Sequence, residues 1–167
     1  MPKGLKETSG LIVISASVTE SAANTFTDKQ VDLQLNALDQ EVFVVMGIDL
    51  DVDQPHLVAG TDTQTAGSLS TTQRTSVGGI SATNNLANGR ITIQDNGVTA
   101  VVTEFSSDSA PSTQLEYLGI IATNDFYLNI QGSNNTGAKT MKARVYGYRA
   151  RADAAIYAAL VQSEVLS

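Results

Sequence analysis

The chain has no cysteine and no tryptophan, and its 167 residues include one histidine, three prolines and only 5% aromatic side chains. Each shortage excludes some chemistry. Without cysteine there are no disulfides, no thiolate metal sites and no thiol nucleophile. His56 is the only imidazole, so there is no second histidine for a metal site or a dyad. Positive charge is also scarce, with 10 Lys and Arg against 17 Asp and Glu and a net charge of −7. That balance argues against nucleic-acid binding by the surface as a whole. Long apolar runs are missing too. Leu11–Val18 is far too short to span a membrane. Lys3 and Lys6 precede it, but Glu7 lies among them and Thr19 and Glu20 follow, which are poor flanks for a signal peptide. The run reads as a first strand of a chain made and folded in the cytoplasm without export.

What remains is a β vocabulary. Apolar residues make up 42% of the chain and come mainly from Val, Ile, Leu and Ala, which pack well on pleated surfaces. The length fits one domain with a substantial core. Residues 1–9 are polar and read as a flexible arm, residues 10–151 as the β domain, and 152–167 as a C-terminal helix. Within the domain, Gln30–Leu38 alternates, with Val31, Leu33 and Leu35 on one face. Glu41–Val52 is the most apolar stretch, and its continuous centre implies burial on both faces or a bend near Gly47. From His56 to Leu86 the pattern dissolves into Thr, Ser and Gly and reads as loop. Asp95-Asn96-Gly97 marks a hairpin between Arg90–Gln94 and Val98–Phe105. A second hairpin is expected between Phe126–Gln131 and Thr140–Tyr148, around Gly132–Lys139, with another strand over Gln114–Thr123. The spacing gives about eight antiparallel strands in a barrel or sandwich. Ala152–Leu166 is rich in helix formers, opens beside Asp153, and sets Tyr157, Val161 and Val165 along one stripe widened by Ile156 and Leu160. Such a helix must lie across the barrel or onto another subunit.

Candidate chemistry is sparse. Asp49, Asp51 and Asp53 alternate on a strand and so share a face that could hold Ca²⁺, although the EF-hand spacing is not completed. A solvated strand end explains the same triplet. No Gly-x-Ser-x-Gly elbow frames a serine, and no phosphate-cradling glycine loop opens a helix. Glu104 and Glu116 are the one carboxylate pair worth considering for glycoside chemistry. These residues offer no organised nucleophile or base, so the expectation is no enzyme, no catalytic residue and no cofactor.

Charge is segregated along the chain. No Lys or Arg falls between Lys29 and Arg74, where Asp32, Asp39, Glu41, Asp49, Asp51, Asp53 and Asp62 lie. Lys139, Lys142, Arg144, Arg149 and Arg151 occupy a stretch free of acids between Asp125 and Asp153. Two arrangements satisfy this complementarity. Either the faces meet across a subunit boundary and steer assembly, or neighbouring strands of one chain meet. The first makes the five basic residues interface candidates, together with Tyr157, Val161 and Val165.

The run Ala143-Arg144-Val145-Tyr146-Gly147-Tyr148-Arg149-Ala150-Arg151-Ala152, continuing through Asp153 to Leu160, resembles the ends of small virion proteins of marine phages and related viruses. Ser70-Thr71-Thr72-Gln73-Arg74-Thr75-Ser76-Val77 is similar in style. The overall plan resembles single jelly-roll capsid proteins and the β-rich cement proteins that decorate capsids. The resemblance implies a jelly-roll-like all-β fold and a virion structural protein, either shell subunit or cement. It also implies assembly with copies of itself and other capsid proteins after synthesis in the host cytoplasm. It brings no catalytic or metal residue. Two other readings stay open: a carbohydrate-binding β-sandwich of a receptor-binding or surface protein, with Asp49, Asp51 and Asp53 holding Ca²⁺, and a secreted tube or surface-layer protein.

Overall fold

Strands with one apolar face are stable only when two such faces are pressed together, and this chain does so with two antiparallel sheets. The computed structural model describes residues 2–107 and 115–166. Its strands in chain order are β1 (Leu5–Glu7), β2 (Ile12–Thr19), β3 (Thr27–Asp32), β4 (Glu41–Val52), β5 (Thr63–Ser70) and β6 (Asn85–Asp95). They continue with β7 (Ala100–Ser106), β8 (Gly119–Ile121), β9 (Asp125–Ser133) and β10 (Thr140–Ala152), before the helix α1 (Ala154–Leu166). One sheet runs β2–β10–β4–β8, with β1 pairing the far end of β10 on the edge it shares with β2. The other runs β3–β9–β5–β6–β7. The chain changes sheet from β2 to β3, β3 to β4 and β4 to β5, and again from β7 to β8, β8 to β9 and β9 to β10. Those eight strands, β2 to β6 and β8 to β10, form the interleaved Greek keys of a jelly roll. Strands β1 and β7 are additions at its margins.

Between the sheets lie Phe43, Ile48, Leu69, Phe126, Leu128, Ile130, Met141 and Val145, all 1% exposed or less. A second cluster sits on the outer face of the β10–β4 pair, where Val42, Val44, Ala150 and Ala152 meet Ile156, Tyr157, Leu160 and Val161 of α1. Strand β4 serves both clusters, which accounts for its unbroken apolar run. Phe43 and Val45 point inward while Val42, Val44 and Met46 point toward the helix. The pairing with β10 then skips Met46, passing from Val45–Gly147 to Gly47–Tyr146. This bulge shifts the alternation, so Ile48, Leu50 and Val52 face the inner core beyond it. Of the two alternatives for this strand, its centre is buried on both faces, and a bulge lies beside Gly47.

Several expectations are corrected. The stretch from His56 to Leu86 is not all loop, because β5 runs through its middle and pairs β6 and β9. Its Thr, Ser and Gly residues carry no apolar alternation, yet smallness is what the position requires. A Cβ on Gly67 would stand 2.2 Å from Met141 Sδ. Strands β9 and β10 are not a hairpin, since β9 pairs β3 and β5 while β10 pairs β1, β2 and β4. The segment between them crosses from one sheet to the other. Strand β3 ends at Asp32, before the expected Leu38, and Gln34 takes a left-handed φ of 53°. Leu33 still reaches the core. Leu5–Glu7 of the expected flexible arm pairs Ala150–Ala152. Of the strand expected over Gln114–Thr123, Gly119–Ile121 is a strand, and Gln114 lies outside the described residues. The Asp95-Asn96-Gly97 hairpin is present, with Gly97 at φ 87° and Asn96 Oδ1 accepting from the backbone N–H of Val98 and Thr99.

Candidate functional site

The segregated charges meet inside one chain. Antiparallel pairing of β4 with β10 sets Asp49 opposite Arg144 and Asp51 opposite Lys142. The Tyr146 hydroxyl donates to Asp49 Oδ2 at 3.1 Å and accepts from Arg144 Nη1 at 3.0 Å. That hydrogen bond, with Asp49 adding to it, pushes the Arg144 guanidinium above its ordinary value. Asp53 Oδ2 accepts from the Thr140 N–H at 3.0 Å. The three aspartates do share an exposed face, as the alternation requires, but two of them look across at cations. Among the described residues no three Asp, Glu or His side chains gather to hold a metal.

The remaining candidates separate in the same way. Arg149 Nη1 pairs with Glu41 Oε1 at 2.6 Å, and its Nη2 donates to the Leu33 carbonyl at 2.6 Å. Arg151 Nη2 lies 3.2 Å from Asp39 Oδ1 in the open. Lys139 is buried, and its Nζ donates to the Gln54 carbonyl at 2.7 Å. Its neighbour His56 accepts the Thr136 N–H on Nδ1 at 3.3 Å, with Nε2 3.5 Å from Lys139 Nζ. Tyr157 and Val161 pack on the second cluster of their own chain, while Val165 points away and is 67% exposed. The docked face of α1 is centred on Ile156, Leu160 and Glu164, one residue round from the stripe read in the sequence. Glu104 stands on β7 of one sheet, whereas Glu116 raises the pKa of Tyr148 in the other.

Two buried acids had no signal in the sequence. Glu20, 4% exposed, accepts the N–H groups of Lys139 and Gly132, each at 2.9 Å. Glu164, 5% exposed, accepts those of Ala122 at 2.7 Å and Thr123 at 3.0 Å. Both carboxylates are occupied as backbone clamps.

Among the described residues two surfaces stand out for what they expose. Strand β7 pairs only with β6 among the described residues. Val101 and Val102 are each 57% exposed, and Val98 at the hairpin tip is 89% exposed. Successive residues on a strand face opposite ways, so β7 shows apolar side chains on both faces beside an edge that no strand pairs among the described residues. The second surface is the outer face of the β9–β5–β6 strands, which holds a groove of about 560 Å³. Its floor includes Ala66, with Arg90 and Gln131 beside it. The Arg90 guanidinium rests 5.3 Å from the Phe105 ring centroid. Among the described residues no helix is long and apolar enough to cross a membrane.

No protein-family model matches the chain, and no curated protein matches it. Solved structures do overlap it at low identity. A chain of desmodium yellow mottle tymovirus is similar over 89% of this chain and 92% of its own length, at 12% identity and a TM-score of 0.33. The tailspike protein gp49 of Acinetobacter baumannii bacteriophage Fri1, described as a capsular polysaccharide depolymerase, overlaps 72% of this chain at 7% identity and a TM-score of 0.18. This chain spans 20% of the tailspike.

Proposed function

We propose that this chain is a non-catalytic structural protein of a virion, a shell subunit or a cement protein upon it. It works as a homo-oligomer beside other capsid proteins and is made in the host cytoplasm. A jelly roll by itself supports many functions, so the reading is carried by one local observation, the β7 flange. A strand with a free edge and apolar side chains on both faces is an aggregation hazard in an isolated domain. The same strand in an assembly is covered by a neighbour, whose strand extends the sheet or whose side chains bury the valines. The engagement of His56, Glu20 and Glu164 in structural hydrogen bonds supports the non-catalytic part. Lys142 and Arg144 stand opposite Asp51 and Asp49 in the sheet, which offsets the positive charge of that strand toward nucleic acid.

Light scattering on the purified chain tests the reading. The wild type is expected to self-associate, and Val101→Lys combined with Val102→Lys is expected to be monomeric with an unchanged melting temperature. A wild type that stays monomeric at about 0.1 mM, a weakly associating range, would remove the support. So would its absence, by mass spectrometry, from purified particles of the virus that encodes it.

A further inference from the structure

We propose that Asn96, at the tip of the β6–β7 hairpin, is a self-modification site where the chain converts its own side-chain amide to aspartate and isoaspartate. Intramolecular deamidation requires the backbone nitrogen of the next residue to attack the side-chain carbonyl carbon, and glycine leaves that nitrogen least hindered. Gly97 follows Asn96, with the positive φ of 87° that glycine adopts freely. The Gly97 N–H donates to Asp95 Oδ1 at 2.7 Å, so the nucleophile already touches a carboxylate able to take its proton. Asn96 Oδ1 accepts the N–H groups of Val98 at 2.9 Å and Thr99 at 2.8 Å. Those donors polarise the carbonyl and stand at the distances of an oxyanion hole. Asn96 and Gly97 are both exposed, which admits water and lets ammonia leave. Nucleophile, base and oxyanion donors therefore meet at one turn.

The step balances with water as the only outside reagent. The Gly97 nitrogen bonds to Asn96 Cγ as its proton passes to Asp95, and the carbonyl electron pair moves onto Oδ1. When that pair returns, the Cγ–Nδ2 bond breaks, and Asp95 gives its proton to the departing ammonia. Water then opens the succinimide at one carbonyl or the other, leaving aspartate, or isoaspartate with an extra carbon in the main chain. Either product adds a negative charge beside Asp95, whose own N–H donates to Asp62 Oδ1 at 3.2 Å. The chain also carries an internal control. Asn88-Gly89 is its other Asn-Gly pair, but Gly89 lies within β6, opposite Gly67 of β5 and Ser106 of β7. Asn88 is 6% exposed, and its Oδ1 has no donor among the described residues. Extended backbone, burial and an unpolarised carbonyl all withhold the reaction there.

Peptide mapping by mass spectrometry tests this, on the full chain kept folded for several weeks at neutral pH and on the same chain unfolded in guanidinium. Asn96 is expected to convert at least about tenfold faster in the folded chain than in the unfolded one, and Asn88 to convert only when unfolded. Asp95→Ser keeps an oxygen for the Gly97 N–H but removes the base, and is expected to slow Asn96 at least about tenfold. Should Asp95→Ser fail to fold, the wild-type comparison alone decides. The proposal is overturned if Asn96 converts no faster folded than unfolded, or if Asn88 keeps pace with it in the folded chain. A folded Asp95→Ser chain that converts at the wild-type rate would overturn it equally. None of these outcomes touches the virion reading, which is tested at Val101 and Val102.

Discussion

Glu164 sits near the end of the last helix, in a position where sequence patterning would leave a solvated charge, yet it is 5% exposed. Its oxygens take the N–H groups of Ala122 and Thr123 just beyond β8, and so tie α1 to the sheet it covers. Glu164→Ala would leave a buried N–H unpaired, and is expected to cost about 2–3 kcal/mol in urea unfolding. Gly147 is the other residue on which packing turns. A Cβ there would meet the Val44 carbonyl oxygen at 2.3 Å and the Phe43 ring at 2.6 Å, beside the β4 bulge. Gly147→Ala is therefore expected to destabilise by about 1–3 kcal/mol through overpacking, with a lowered denaturant midpoint as its readout. Tyr148 gives a pH signature. Burial first, then Glu7 and Glu116, raise its pKa above the ordinary 10.0. A raised pKa means the unfolded chain loses this proton first as pH climbs. The Tyr148 contribution is thus intact below pH 10 and falls as pH rises through the folded-state value. Tyr148→Phe should show a shallower loss of stability above pH 10 than the wild type; identical slopes would contradict this.

At the scale of elements, α1 acts as a cover for the outer face of the β10–β4 pair. Isolated helices of this length are marginal in water, so its order comes from Ile156, Leu160 and Val161 on the second cluster and from Asp153 Oδ1 accepting the Ile156 N–H. Truncation after Asp153 should expose Val42, Val44 and Ile120, lower the melting temperature and produce dye binding to apolar surface. A truncated chain that keeps the wild-type melting point would show that the cluster holds without its cover. The helix was legible in composition, and its docked face was nearly so. The stripe through Tyr157, Val161 and Val165 was one residue out, because a buried glutamate, read as polar, belongs to the packed face.

For the whole molecule, charge organises the fold before it can organise any assembly. The acidic and basic stretches lie far apart in sequence but side by side in the sheet, through the β4–β10 register. Exposed pairs such as Arg151–Asp39 contribute about 0–1 kcal/mol each. Arg149 differs, since it holds Glu41 and the Leu33 carbonyl together at the sheet margin. Arg149→Glu is therefore expected to cost about 2–3 kcal/mol, while Arg144→Glu, at an exposed position, should cost less. Equal losses for the two in denaturant titrations would contradict this division.

The sequence alone determined the β class, the Asp95-Asn96-Gly97 hairpin, the double burial at the centre of Glu41–Val52 and the helical end, because each rests on local periodicity or turn chemistry. Tertiary structure alone decided which strands share a sheet. That choice placed β5, whose Thr, Ser and Gly carry no periodic signal, at the centre of one sheet, and sent the chain across to the other sheet between β9 and β10. It also settled whether the opposite charges meet within one chain, and turned Glu20 and Glu164 from surface residues into clamps. Strand order depends on contacts between residues far apart in sequence, and burial of a polar group depends on the partner that satisfies it. Neither is encoded within the span of a single turn or strand.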